Sequence, residues 1–161
     1  MIVVADTSVI LNLCRVQHER LLTQLFQRVL VPSRVASEFK RLAGAQPRFA
    51  GLSLPEWIEV LPDPVSLPDQ LVQANLDAGE SAAIGLCLNV KADALLIDES
   101  LGRKVAEKLG IRVVGILGVL VQSRQKQLIP EVRGVLDRLE KEAGFWIAPN
   151  LRTKVLEAVG E

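Results

Sequence analysis

Tyrosine is missing from this chain altogether, histidine occurs once, cysteine twice, and aromatic residues make up only 4%. A zinc centre is therefore not expected. Cys14 and Cys87 lie far apart, neither belongs to a CxxC, and His18 is the only other soft ligand. Both cysteines sit in apolar surroundings and read as buried free thiols of a reducing compartment. Long apolar runs are absent too: the longest, Val113 to Val121, has nine residues and cannot span a bilayer. The opening MIVVAD has no basic stretch, and Asp6 interrupts it before it reaches signal-peptide length. A soluble cytoplasmic protein without a membrane partner is expected. No strand candidate is followed by GxGxxG, and GxxxxGK[ST] does not occur, which excludes the glycine-rich dinucleotide and nucleoside-triphosphate loops. Repeats, low-complexity tracts and linkers are lacking as well.

Net charge is the last absence. Lys plus Arg and Asp plus Glu both number 19, so the simplest signature of a nucleic-acid binder is missing. The charge is nevertheless segregated. Residues 15–48 hold seven basic side chains against Glu19 and Glu38, residues 49–80 hold six acids and no base, and residues 99–126 hold six bases against two acids. Such a division can build a basic rim around an acidic pocket. With 161 residues, 49% of them hydrophobic, the chain suits a single domain over residues 1–161 with a sizeable core.

Short, continuous, β-branched runs punctuate the sequence. Ile2–Ala5, Val29–Val31, Trp57–Leu61, Ala94–Ile97 and Arg112–Ile116 predict strands buried on both faces. Between them, helices are predicted from Val9, over Pro32–Leu42, over Leu67–Leu76, from Asp77 to Val90, and over Glu99–Leu109. Gly44–Leu54 reads as irregular. Everything after Gly118 reads as helix, broken near Pro130 and Pro149. Alternating strands and helices imply a parallel sheet covered on both faces. Ligands of such sheets bind beyond the carboxyl ends of the strands.

Four carboxylates occupy positions that this rule singles out. Asp6 follows Ile2–Ala5 as Asp98 follows Ala94–Ile97, so neighbouring strands would bring the two together. Glu38 borders the apolar stripe of Val35, Phe39 and Leu42 rather than facing solvent squarely. Glu80 stands three residues after Asp77. Each has an ordinary structural reading. Asp6 suits a helix N-cap, Glu38 a surface position beside Arg34 or Arg41, and Asp77-x-x-Glu80 a capping box. Glu99 suits a first helical turn and is the rival of Asp98. Thr7 and Ser8 add hydroxyls able to position a carboxylate or a metal-bound water, or to serve as caps themselves.

Taken together the acids are harder to explain by structure alone. Clustered carboxylates raise one another's pKa unless a cation neutralises them, and oxygen ligands select Mg²⁺ or Mn²⁺. Such sites serve phosphate-ester chemistry. The residues themselves do not name a substrate.

Four segments, VVADTSVILNL, VLVPSRVASEF, LDAGESAAIGLC and ADALLIDESLGRKVAEKLGI, resemble in order and spacing the PIN-domain family, and within it the small prokaryotic VapC-like ribonucleases. The resemblance spans residues 1 to about 120, whereas residues 121–161 carry no readable motif. It implies a three-layer α/β/α sandwich with a parallel sheet of about five strands in order 3-2-1-4-5. It also implies hydrolysis of RNA phosphodiesters by an acidic quartet carried onto Asp6, Glu38, Glu80 and Asp98, with Asp6, Glu80 and Asp98 holding Mg²⁺ or Mn²⁺. Ser8 matches the small hydroxyl residue after the first Asp, and Thr7, Asp77 and Glu99 are the supporting candidates. Many small members are toxins of toxin–antitoxin pairs, so an antitoxin and a second copy of the chain join RNA as candidate partners. From the basic stretches, Arg15, Lys40, Arg103 and Lys104 are the expected RNA contacts. Two other readings compete. A haloacid-dehalogenase-type phosphatase also opens with a strand ending in Asp, but its second Asp, two residues on, is here Ser8. A catalytically inactive module that kept the fold to bind nucleic acid or protein is the alternative from another class.

Overall fold

The computed structural model describes residues 1–161. Its centre is a five-stranded sheet in the order β3-β2-β1-β4-β5, with every pairing parallel. The strands are β1 (Ile2–Ala5), β2 (Arg28–Pro32), β3 (Glu59–Leu61), β4 (Ala94–Leu96) and β5 (Val113–Val114). Helices α1 (Thr7–Arg15), α2 (Leu21–Leu25), α3 (Ser33–Ala45), α4 (Asp69–Gln73) and α5 (Ala78–Val90) occupy the first part of the chain. Helices α6 (Ser100–Lys108), α7 (Ile116–Gln125), α8 (Arg133–Glu142) and α9 (Pro149–Ala158) complete a three-layer α/β/α sandwich.

The three central strands are apolar without alternation because both of their faces are covered: Val3, Val4, Ala5, Val29, Leu30, Val31, Ala94, Leu95 and Leu96 are all buried. The edge strands are short and partly exposed, which blunts them against pairing with other chains. Helix α5 is buried on almost every side from Gly79 to Cys87 because it packs on β1, β2 and β4 and is covered in turn by α3. Helix α3 is the opposite case, burying only Val35, Phe39 and Ala43, one residue per turn. A continuous core of 43 buried residues runs from Val3 to Leu156. Cys14 and Cys87 are free thiols inside it, and burial pushes their pKa values to about 12 and about 11. No helix is long and apolar enough to cross a membrane.

Several boundaries differ from the sequence reading. Pro32 ends β2 and caps α3 instead of lying in its first turn, and α3 runs on to Ala45. The expected strand from Trp57 shrinks to Glu59–Leu61, since only these residues find partners on β2. The helix expected over Leu67–Leu76 is one short turn, Asp69–Gln73, limited by Pro68 and by Asn75 in the left-handed region at φ 59°. Ile116 belongs to α7 rather than to β5, because the Asp98 carboxylate accepts its backbone N–H at 3.0 Å and Gly115 caps the helix there. The irregular stretch 44–54 contains a 3-10 turn at Pro47–Phe49. Helix α2 went unpredicted; five residues with only Leu21 and Leu22 buried carry no periodic signal.

Candidate active site

The register Ala5↔Leu96 sets the ends of β1 and β4 level, and the Asp6 N–H donates to the Leu96 carbonyl at 2.9 Å. Asp6 and Asp98 therefore leave the sheet side by side at its carboxyl edge. Asp6 occupies the N-cap position of α1, yet its side chain makes no capping hydrogen bond. The capping explanation is thus not the one the structure adopts. With 5% of its surface exposed, Asp6 has its pKa pushed up to about 7. Burial is the main cause, the Thr7 N–H opposes it, and Glu38, Asp77 and Asp98 add repulsion.

Helices α3 and α5 deliver the two glutamates. Glu80 lies in the first turn of α5, only 8% exposed, and burial together with the charges of Asp77, Asp6 and Glu99 raises its pKa to about 8. Glu38 projects from α3 towards the start of α5. There the absence of a side chain on Gly79 makes room for it, since a Cβ at that position would overlap Glu38 Oε2. Burial and then Asp77 raise the Glu38 pKa, and Arg41 pulls it back. Asp77 caps α5 by accepting the Glu80 N–H at 2.8 Å, and Glu99 caps α6 by accepting the Gly102 N–H at 2.6 Å. Capping and proximity to the acids coexist in both residues.

Asp6, Ser8, Glu38, Asp77, Glu80 and Glu99 line one cavity of about 340 Å³. Asp98 opens instead onto the adjoining cavity of about 800 Å³, together with Ser100, Arg103 and Arg112. Its Oδ1 holds the Ile116 N–H, whereas the buried Oδ2 has no hydrogen-bond partner. Burial raises its pKa, against the Ile116 N–H and Arg103. The Thr7 hydroxyl is also buried and unpartnered, close enough to Glu38 to lower its pKa slightly without completing a hydrogen bond.

The four basic candidates fare differently. Arg103 lines the larger cavity and donates to the Ile97 carbonyl at 3.2 Å. Arg15 lies 3.9 Å from Glu142 in an ion pair. Lys40 borders a separate groove between α3 and residues 52–54, and Lys104 is exposed without lining any of these cavities. Other arginines take their place: Arg34 and Arg41, already expected beside Glu38, line a cavity with it, while Arg48 in the acidic cavity and Arg112 beside Asp98 were passed over by the sequence reading. Phe145 and Trp146 line both cavities. Nothing local distinguishes these residues in the sequence.

The donor set is all oxygen, which suits a hard divalent cation. No three acidic side chains approach closely enough to cage an ion among themselves. A cation of the Mg²⁺ class does not require such a cage, since it keeps several waters and takes one or two carboxylates. The unpartnered Asp98 Oδ2 and the raised pKa values of Asp6 and Glu80 mark where positive charge is missing.

Against this geometry, a family model described as PIN domain matches residues 2–161. The chain belongs to the PIN-domain family. No curated protein matches it. The family match extends across α8 and α9, the region that offered no motif to sequence reading. The strand order β3-β2-β1-β4-β5 is the PIN order. PIN domains are in general nucleases that use divalent metal ions, and this places the chain in a nuclease fold family with an expectation of nucleic-acid binding.

Proposed function

We propose that the protein is a metal-dependent ribonuclease that hydrolyses RNA phosphodiester bonds, of the kind that serves as the toxin of a toxin–antitoxin pair. The observation that carries this reading is a pair of carboxylates released side by side from adjacent parallel strands, Asp6 buried without a cation beside it and Asp98 with Arg103 nearby but one buried oxygen left unpartnered. Asp6, Asp98 and Glu80 are the residues that would hold Mg²⁺ or Mn²⁺, one or two of them directly and the rest through water, and Glu38 completes the acidic quartet. Such an ion, when bound, polarises the phosphoryl oxygen and supplies hydroxide near neutral pH. The chain's own residues do the rest. Glu38, the member of the quartet not assigned to the ion, is the candidate to accept a proton from an attacking water, and burial followed by the charge of Asp77 raises its pKa. Asp77 and Glu99 fix the starts of α5 and α6 on which the site is built. Ser8 lines the same cavity and would orient water there. Arg103 sits where a phosphate would arrive beside Asp98. Single-stranded RNA incubated with Mn²⁺ should be cut, and chelation should stop it; intact RNA at stoichiometric enzyme would sink the proposal.

A second reading, a PIN module that binds nucleic acid or protein without cutting, is favoured by one observation, the lack of three acids within common reach of an ion. Purified protein that binds RNA with unchanged affinity in Mn²⁺ and in chelator, and never cleaves it, would establish that alternative. An antitoxin and a second copy of the chain remain the proposed protein partners.

Two variants probe the architecture. Gly79→Ala must displace Glu38, so hydrolysis should fall about 10²-fold, as for a misplacement of about 1 Å. Stability should hold, since Ala is favoured over Gly in a helix by about 1 kcal/mol. Full activity with an unshifted melting temperature would remove Glu38 from the site. Arg103→Ala should weaken RNA binding and reduce the salt slope by about one. Lys104→Ala, at a position that lines no cavity, serves as the comparison; equal slopes for both variants and wild type would exclude Arg103 as a phosphate contact.

A further inference from the structure

Trp146 is the largest side chain that the fold leaves in water, with 77% of its surface exposed. The chain around it is anchored on both sides. Ala143 and Ile147 on either side are buried, and the Phe145 N–H donates to the Leu139 carbonyl at 3.0 Å. Gly144, at φ +67°, lets the segment close onto Arg48, where any Cβ would come within 2.8 Å of the guanidinium. Arg48 is itself held over the Phe49 ring at 4.9 Å. Pro149 then starts α9. The backbone on both sides of Trp146 is thus anchored while its side chain stays in water.

Its surroundings indicate an occupant. Trp146 lines both the acidic cavity and the cavity of about 800 Å³ beside it. The larger cavity has an apolar wall of Val113, Leu117, Val121 and Leu151, and it carries Arg103 and Arg112. Neither arginine forms a salt bridge; Arg103 gives one N–H to the Ile97 carbonyl and keeps its other donors, and Arg112 makes no side-chain hydrogen bond. A protein helix would use the apolar wall but has no use for two unpaired arginines adjoining an acidic centre. A single strand of RNA uses all three features. A nucleotide next to a phosphodiester held at the acids is covalently tied to it and would lie within reach of the adjoining cavity. Its phosphate meets arginine, and its base needs a flat apolar surface.

Resting on the ribonuclease reading, we infer that Trp146 is a stacking platform for a nucleobase that flanks the scissile phosphodiester, with Arg103 and Arg112 holding the adjoining backbone phosphates. Recognition of this kind is tolerant of sequence, because every base presents a π face. It selects single strands over duplexes, whose bases are already stacked.

Binding measured in chelator, by anisotropy of a labelled oligouridylate of about eight nucleotides, isolates this site from catalysis. An oligomer of equal length built on abasic ribose analogues carries the same phosphates without bases. Wild type should prefer the uridylate by about 5- to 150-fold, the range for one stacked base. Trp146→Ala should lose that preference while keeping its salt slope and melting temperature, and Trp146→Phe should retain most of it. A preference for bases that persists in Trp146→Ala overturns the inference. So does Trp146→Ala turning a dimer into a monomer with RNA affinity unchanged, which would make the face a contact with a second copy. Wild type that cleaves RNA as fast as Trp146→Ala does, with equal binding, would discard the platform and leave the ribonuclease reading standing. Base-dependent binding through Trp146 without any cleavage would do the reverse. Wild type that neither binds nor cleaves RNA would end both.

Discussion

Asp6→Asn should abolish RNA hydrolysis, by at least about 10³-fold, and at the same time raise the melting temperature of the metal-free protein at pH 8. The two effects share one cause. In the unfolded chain the Asp6 carboxyl ionises near 3.8, and in the folded protein burial raises that to about 7. The folded state therefore binds the proton more tightly than the unfolded state does. Below about pH 4 both forms are protonated and no penalty exists. As pH rises towards 7 the unfolded chain is already ionised, so stability falls, and above 7 the full penalty remains. At about 1.4 kcal/mol for each tenfold change it is on the order of 4 kcal/mol. Glu80, raised to about 8, acts in the same direction and extends the window by about one pH step. Asparagine removes the ionisation but buries an amide that needs partners, so a net gain of about 1–3 kcal/mol is expected at pH 8. That corresponds to several degrees in a chain of this size. The advantage should shrink as pH is lowered to 5. Thermal melts of wild type and Asp6→Asn in chelator, at pH 5 and pH 8, read this directly. A variant less stable than wild type at both values would mean that the carboxylate serves the fold rather than a function.

Addition of Mg²⁺ or Mn²⁺ at pH 8 should restore what ionisation takes from wild type. A ligand that binds only the folded state at a hundred times its dissociation constant stabilises it by about 2.7 kcal/mol, and the melting temperature should rise by about 5–10 °C. The rise should fade between pH 8 and pH 6, because protons then compete for Asp6 and Glu80, whose pKa values lie at about 7 and about 8. Asp98→Asn should remove most of it. One Asp98 oxygen already serves the Ile116 N–H, and only the unpartnered Oδ2 is available to an ion. A wild-type melting curve unmoved by millimolar Mn²⁺ at pH 8 would set the metal-dependent reading aside in favour of the non-cutting binder.

The central strands were legible in the sequence because β1, β2 and β4 are covered on both faces, and only unbroken apolar runs survive there. The start of α5 was legible for a similar reason, since Asp77 and Glu80 stand at the spacing that a helix start requires. Even so, Asp6 had an ordinary capping explanation that sequence alone left open. Tertiary structure decided it, by burying the carboxylate without a capping bond and by setting Ala5 level with Leu96 so that Asp6 and Asp98 follow adjacent strand ends. The placement of Glu38 was likewise settled by the gap at Gly79, on a helix forty residues away. Which arginines face the acids depended on contacts between segments distant along the chain. Arg15 is claimed by Glu142 on α8, whereas Arg48 and Trp146 reach the acidic cavity through the close approach permitted at Gly144. Local pattern records which face of an element is apolar, and that determined the sheet, its covering helices and the two strand-end aspartates. It does not record which distant element supplies the neighbour, so the composition of the cavity walls was set only by packing.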